Sequence, residues 1–263
     1  MSDRSESQPR PAMSRASRLE RIAHDLEQTG FLSARELTER LGVSEMTIRR
    51  DLRRLEQEGV LRIVHGGASL PIGNDYQSRG KSEHAAKAKI GRLAASLIPP
   101  GSTVLMDAGT TVAEVVQHLP PNFDGYVITH SIPVINSLLM RPDIPVHCLG
   151  GELRTQSQAM IGTTTVESLA NLRAQVLFLG AAAVNESGVF VAKNFESSTK
   201  LAFIESANRV ILLVDHSKFS IFMPVFLAPL SVVDEIVTDR ALPPEVATVA
   251  DELGIVVHVA DEE

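Results

Sequence analysis

A single cysteine, Cys148, stands among the 263 residues, so no disulfide can close within the chain. That usage suits a reducing compartment, and a cytoplasmic protein is expected. Long apolar runs are missing too. The most apolar late stretch, 221–233, is short and broken by Pro224 and Pro229, whereas a membrane helix needs roughly 18 apolar residues in a row. No membrane partner is expected. The first ten residues are polar and include Pro9, without the apolar core of a secretory signal. Net positive charge is also absent, the formal total being −7. Residues 1–70 have no lysine; 12 arginines there meet 11 acids, and the remainder holds 13 basic and 21 acidic residues. An acidic total argues against nucleic acid, but the distribution decides. An arginine-only segment ahead of an acidic body suits a DNA reader whose contacts are confined to one small domain. The guanidinium fork matches phosphates and guanine edges.

What is present bounds the architecture. A hydrophobic fraction of 44% supports a sizeable core and excludes wholesale disorder. At about 150 residues per domain the length predicts two domains, and no internal repeat is visible. Residues 1–13 read as a polar tail. Leu19, Ile22 and Leu26 mark one buried stripe of a helix over 14–28, ended by Gly30. Ser33 and Glu36 form a capping box for a second helix, with Leu37 and Leu41 inward and Gly42 in the following turn. Ser44 caps a third helix that runs to about Glu58 and stops at Gly59. A short strand over 60–64 and a turn at His65-Gly66-Gly67 follow. Helix, helix, turn, helix, strand and glycine turn is the order of a winged helix-turn-helix.

The third helix divides by angle. At 100° per residue Ile48, Leu52 and Leu55 share one side, and Met46, Arg50, Arg53 and Gln57 the other. A recognition helix needs one dry face for its partner helices and one cationic face for the major groove. Ser44, Glu45, Met46, Thr47, Arg49 and Arg50, at its N-terminal end, are the candidates for reading base edges. Arg53 and Arg54 are the candidates for phosphate contacts, which position without specifying. His65 and Arg62 in the wing are placed to touch the adjacent backbone. A solvated surface helix is the other reading of this face. Such faces usually mix lysine and glutamate; here four arginines fall within six positions, with only Asp51 among them.

The stretch Leu41-Gly-Val-Ser-Glu-Met-Thr-Ile-Arg-Arg-Asp-Leu-Arg-Arg-Leu, with His65-Gly-Gly-Ala68 after it, resembles the DeoR family of transcriptional regulators. The resemblance runs over about 18–239. It implies a C-terminal domain similar to ribose-5-phosphate isomerase that binds phosphorylated intermediates of sugar metabolism, and a repressor released by such an effector.

The expected fold is α/β: a winged helix-turn-helix over 14–70, a Pro/Gly/Asn/Ser-rich linker over 71–83, and a larger α/β domain over 84–263. Strands over 103–106, 126–129, 146–149, 176–179, 210–214, 236–238 and 255–259 alternate with helices over 84–98, 110–119, 132–140 and 194–208. That alternation implies a mostly parallel sheet covered on both faces. Ligands in such sheets bind beyond the carboxyl ends of strands. Asp107-Ala-Gly-Thr-Thr111 follows one strand and opens a helix. Gly109 allows close approach, Thr110 and Thr111 offer hydroxyls, and the helix start offers free N–H groups suited to phosphate. Thr129-His130-Ser131 and Gly150-Gly151 end the next two strands, and Lys218 follows a fourth as a point charge. Each piece has an ordinary alternative: a turn and cap, a glycine turn, a hydrogen-bonded histidine, a solvated lysine. Their convergence on one edge favours an effector site. By the family resemblance these segments mark the effector pocket, with His130 standing where Asn is usual.

The related isomerases need a carboxylate to move a proton beside a carbonyl. By resemblance, the strand matching 176–179 ends there in Asp-Gly-Ala-Asp. Here the residues are Leu179-Gly180-Ala181-Ala182. Glu196 and Lys200 remain on the next helix, and a lone glutamate on a helix is usually solvated. The missing acids favour binding without turnover, so no catalytic residue, cofactor or metal is expected. The alternative is a sugar-phosphate isomerase-like enzyme with an accessory DNA-binding domain. The expected partners are double-stranded operator DNA, a phosphorylated sugar and further copies of the chain, because specific binding usually joins two or more half-sites. A dimer or tetramer satisfies that.

Overall fold

The computed structural model describes residues 14–29, 31–57, 60–64, 66–69 and 76–260. Gly30, Gly59 and His65, the tail 1–13 and the first part of the expected linker lie outside the described residues. The chain divides into two units, residues 1–72 and 73–263.

In the first unit, α1 (Arg15–Thr29) buries Ile22 and Leu26 completely. A short strand, β1 (Phe31–Ser33), leads into α2 (Ala34–Leu41). The capping box is present in full. Ser33 Oγ accepts from Glu36 N at 3.1 Å, and Ser33 N donates to Glu36 Oε2 at 3.3 Å. Gly42, at φ 64°, ends α2 in the left-handed region that disfavours other residues. Then α3 (Glu45–Gln57) sets Ile48, Leu52 and Leu55 against α1 and α2. Each fully buried aliphatic side chain contributes about 1.5–3 kcal/mol. The wing is a three-stranded antiparallel sheet of β1, β2 (Arg62–Val64) and β3 (Gly67–Ser69), in the order β1-β3-β2. So the expected 60–64 strand shortens to its last three residues and lies at an edge, with the central β3 and the far-edge β1 not foreseen. Gly67 makes the sheet possible: a Cβ there would stand 2.1 Å from Leu32 O.

The second unit begins with α4 (Tyr76–Lys81), where the sequence was read as linker. The turn at 82–83 and α5 (His84–Ser96) follow. Next come β4 (Thr103–Met106), α6 (Thr110–Gln117), β5 (Tyr126–Thr129), α7 (Ile132–Leu139) and β6 (Val146–Cys148). A hairpin of β7 (Glu152–Arg154) and β8 (Ala159–Ile161) leads to α8 (Thr163–Leu169) and β9 (Val176–Gly180). Two small strands, β10 (Ala183–Asn185) and β11 (Gly188–Val191), precede α9 (Ser197–Glu205). The expected 194–208 helix is thus shorter, its first three residues forming a tighter turn. The chain ends with β12 (Val210–Leu213), β13 (Val225–Ala228), β14 (Glu235–Thr238), α10 (Pro244–Leu253) and β15 (Val256–Val259).

Seven strands form a parallel sheet in the order β15-β14-β12-β9-β4-β5-β6. Its middle strands are apolar without interruption, as burial on both faces requires. Alternate residues serve opposite cores: Leu105, Leu177 and Leu212 one, Met106, Phe178 and Leu213 the other. From β4 the chain moves outward through β5 and β6, then returns to the far side of β4 with β9 and proceeds the other way. Strand order therefore reverses between β4 and β9. The carboxyl ends at such a reversal diverge and open a crevice. Asp107 and Gly180 sit at those two ends.

Candidate DNA-reading surface and effector site

On α3 the outward face is as the helical angles dictate. Met46 is 66% exposed, and Arg49, Arg50, Arg53 and Arg54 are exposed. Ser44 Oγ accepts from Thr47 N at 3.3 Å and lies 2.9 Å from Thr47 Oγ1, so these two hydroxyls cap the helix. Glu45 and Arg49 pair at 2.6 Å along the surface. Such an exposed pair contributes little to stability, so it leaves Arg49 open to exchange of partners. Asp51 departs from expectation. It lies on the dry side, 1% exposed, where Arg18 Nε of α1 donates to it at 2.6 Å and Arg15 lies at 3.6 Å. The acid among the arginines is a buried tie between helices, and the outward face is more cationic than the sequence count suggests. Ile63 N donates to Glu56 Oε1 at 2.8 Å, fastening the wing to α3.

In the second unit Asp107 is completely buried at the end of β4. Its Oδ2 accepts from Gly180 N at 2.9 Å and from Lys200 Nζ, which also donates to Gly180 O at 2.8 Å. Burial pushes the Asp107 carboxyl upward, but the Lys200 ammonium against it outweighs that and holds it well below the usual range. His130 is 3% exposed and packs 4.8 Å from the Phe203 ring. Its Nδ1 faces Met160 O at 2.7 Å, and a carbonyl only accepts, so Nδ1 carries the proton. Nε2 accepts from Ala108 N at 3.1 Å and stands 3.3 Å from Asp107 Oδ1. Asp107 and His130 are therefore engaged in holding the β4, β5, β8 and β9 ends together.

Gly109 is the residue before α6, extended at φ −133°, with no side chain to cap the helix. The opening N–H groups of Thr110, Thr111 and Val112 have no earlier turn to bind. A Cβ on Gly109 would come 3.8 Å from Gly180 Cα, so the two glycines keep the crevice narrow. Thr129 Oγ1 donates to Met106 O at 2.7 Å and accepts from Ser131 N, and Ser131 Oγ caps α7. These two hydroxyls are used locally. Gly150 O accepts from Thr165 Oγ1 at 2.7 Å, and Gly151, at φ 147°, leaves no room for a Cβ beside that same hydroxyl. The pair makes a tight turn against α8.

Lys218 follows β12, its Nζ 3.2 Å from Ser217 Oγ and 3.7 Å from Asp215 Oδ2. Strands lie about 4.8 Å apart, so Lys218 and the glycine pair flank Asp107 two strands away on opposite sides. Asp107, Gly109, Thr110, Thr111 and His130 form the centre, joined by Lys200 and Gly180, which sequence reasoning did not count as site residues. A signal existed for Lys200: a buried Asp107 needs a cation, and the helix after β9 supplies one.

Comparison with known proteins matches both units of the chain to one family. The DeoR-like helix-turn-helix domain matches residues 18–72, and the DeoR C terminal sensor domain matches residues 82–240. The glycerol-3-phosphate regulon repressor of Escherichia coli K12 is 34% identical over 228 residues, covering 85% of this chain and 90% of that protein. The HTH-type transcriptional repressor GlcR of Bacillus subtilis is 32% identical, covering 94% of this chain and 96% of that protein. Among solved structures, ribose 5-phosphate isomerase A from Methanocaldococcus jannaschii is 22% identical over 52% of this chain and 55% of that one, with a TM-score of 0.38. With both domains matched in order and full-length repressors aligned along most of its residues, the chain belongs to the DeoR family of transcriptional regulators.

Proposed function

We propose that this regulator is a repressor of carbohydrate metabolism genes, acting in the cytoplasm as a homo-oligomer, and that a phosphorylated sugar releases it from its operator. The observation that carries the effector reading is the start of α6. An uncapped helix end opens at the strand reversal, beside a carboxylate whose charge Lys200 already offsets. Helix starts attract anions through free N–H groups and the dipole. The hydroxyls of Thr110 and Thr111 belong to the same turn. A relative named for a glycerol-3-phosphate regulon supports a phosphorylated carbon source as the effector class.

The pocket binds without turnover. An isomerase needs a free carboxylate to shuttle a proton. The β9 end offers only Gly180-Ala181-Ala182, and the buried Asp107 carboxylate is tied to Gly180 N and Lys200. Gel shifts of the full chain on promoter fragments, with pentose and hexose phosphates and their parent sugars added, test the proposal. A phosphorylated compound should release the DNA where its parent sugar does not. No preference for any promoter fragment over random DNA at physiological ionic strength overturns it. Sugar-phosphate conversion at ordinary enzyme rates would instead identify a catalytic pocket.

A further inference from the structure

Arg79 of α4 has a buried Nε with no hydrogen-bond partner. A buried cationic nitrogen left unpaired is costly and calls for a counter-group. The helix that bears it is firmly placed. Tyr76 N, at its start, donates to Gln156 O at 2.7 Å. At its other end Lys87 Nζ, 1% exposed, donates to Arg79 O and Ser82 O, so a cation closes the carbonyl end of the helix. Between these, Gly80 lies against the first residue of α6: a Cβ there would be 3.8 Å from Thr110 Cγ2. Arg79 thus stands on the segment that covers the opening turn of α6.

A second under-bonded pair lies in the turn after β12, whose His216 Nε2 comes 3.9 Å from Glu83 Oε2 just beyond α4. Asp215 is fully buried and its Oδ2 has no hydrogen bond; Lys218 Nζ is 3.7 Å away. Burial draws Lys87 down to about 8, and Lys218 and Arg79 add to that effect, while Asp215 and Glu83 oppose it. Arg79, Lys87 and Lys218 thus lie around the end of α4, Lys87 by its bonds to Arg79 O and Ser82 O and Lys218 through the turn whose His216 approaches Glu83. Lys87 is committed to two carbonyls, which leaves Arg79 and Lys218 with unused donors.

We propose that Arg79 is a ligand of the effector's anionic group, which bridges α4 to the α6 start and to Lys218. This rests on the reading of the second unit as a sugar-phosphate sensor, and it adds a coupling element. The helix α4 is the first described element of the second unit, directly after the segment that leads from the DNA-binding unit. An anion held by Arg79 fixes that element, so occupancy is felt where the two units are joined in sequence. A guanidinium suits the task because its planar fork takes two phosphate oxygens at once.

Hydrogen exchange of the full chain, with inorganic phosphate as the probe and chloride as the control, tests this. Phosphate should slow exchange over residues 76–82 several-fold. Arg79→Gln should need about tenfold more phosphate for the same protection, and Arg79→Lys, which keeps charge without the fork, should fall between. Exchange over residues 176–180 checks that each variant is folded, and Arg79→Lys carries the test if Arg79→Gln is not. The proposal is overturned if Arg79→Gln titrates like the wild type, or if phosphate protects residues 109–112 but not 76–82. Phosphate protection that depends on Arg79, with no sugar phosphate releasing the operator, keeps the anion site and removes the sensor reading. Release of the operator from Arg79→Gln at the wild-type effector concentration does the reverse.

Discussion

Replacing Lys200 with methionine should invert the pH dependence of the sensor unit's stability. In the wild type, Asp107 is buried with Lys200 and Gly180 on one oxygen and His130 beside the other. Its carboxyl is held below its unfolded value, so the unfolded chain binds more protons as the pH falls. The stability it contributes is present above the unfolded carboxylate value, near 4, and is lost as pH falls toward the folded value. Lys200→Met removes the main opposing charge and leaves burial dominant. The folded carboxyl then lies above the unfolded one, and stability falls as pH rises between about 4 and 7. Stranding one partner of a buried pair costs about 3–5 kcal/mol near neutrality. Asp107→Asn alone strands Lys200, and the double variant should recover about 1–3 kcal/mol relative to the sum of the singles. Urea unfolding by circular dichroism, repeated across pH, reads all three, with amide exchange over residues 176–180 assigning the transition to the second unit. A Lys200→Met curve parallel to the wild type, within about 0.5 kcal/mol at every pH, would refute the reasoning.

Five further outcomes are expected. Arg50→Ala should cost about 1–3 kcal/mol at a cognate site and relax its specificity. Arg53→Ala should weaken all sequences alike and lower the salt slope by about one; identical behaviour of the two in gel shifts across salt and sequence would contradict this. Gly67→Ala drives a Cβ into Leu32 O, so the β1–β3 pairing must open at a cost of about 1–3 kcal/mol or more; an unchanged melting profile of the DNA-binding unit would show that the strands part freely. Lys87 is pulled below its ordinary 10.5 to about 8, so its unfavourable burial is relieved as pH rises from 8 toward 10. The wild type should gain stability over that window relative to Lys87→Met, by up to about 3 kcal/mol, and a constant difference would count against it. Thr111→Ala and Lys218→Ala should raise the effector concentration needed for operator release, as measured by gel shift, and unaltered release would exclude both contacts.

The readable parts of the fold share a physical cause. The long periodic helices α1 and α3 and the uninterrupted apolar strands β9 and β12 announce themselves because their burial is set by their own neighbours in sequence. Where the decisive partner is distant, the sequence misleads. Asp51 looks like a break in a wet arginine face, yet Arg18, 33 residues upstream, draws it inward. The strands β1 and β3 are three residues each, and β3 is Gly-Ala-Ser, so neither has a strand signature of its own. Residues 76–81, with Gly80 among them, read as linker because much of what holds the helix comes from elsewhere: Lys87 caps it and Gln156 anchors it.

The candidate effector site was legible as a sheet edge and illegible as a charge arrangement, and the second decides what it could bind. A carboxylate at the end of β4 repels an anion unless something offsets it. Periodicity placed Asp107, Gly109 and Thr111 at a strand end, but only the fold brings Lys200 from a helix after β9 to that carboxylate. With Lys200 paired to it, Asp107 opposes an anion less, and the α6 helix start is left to attract one. The same pairing removes the free base that proton transfer demands. One lysine therefore serves both halves of the proposal, making the crevice hospitable to phosphate and unfit for isomerisation. In this arrangement Asp107 fixes the ends of β4 and β9 through Gly180 and Lys200.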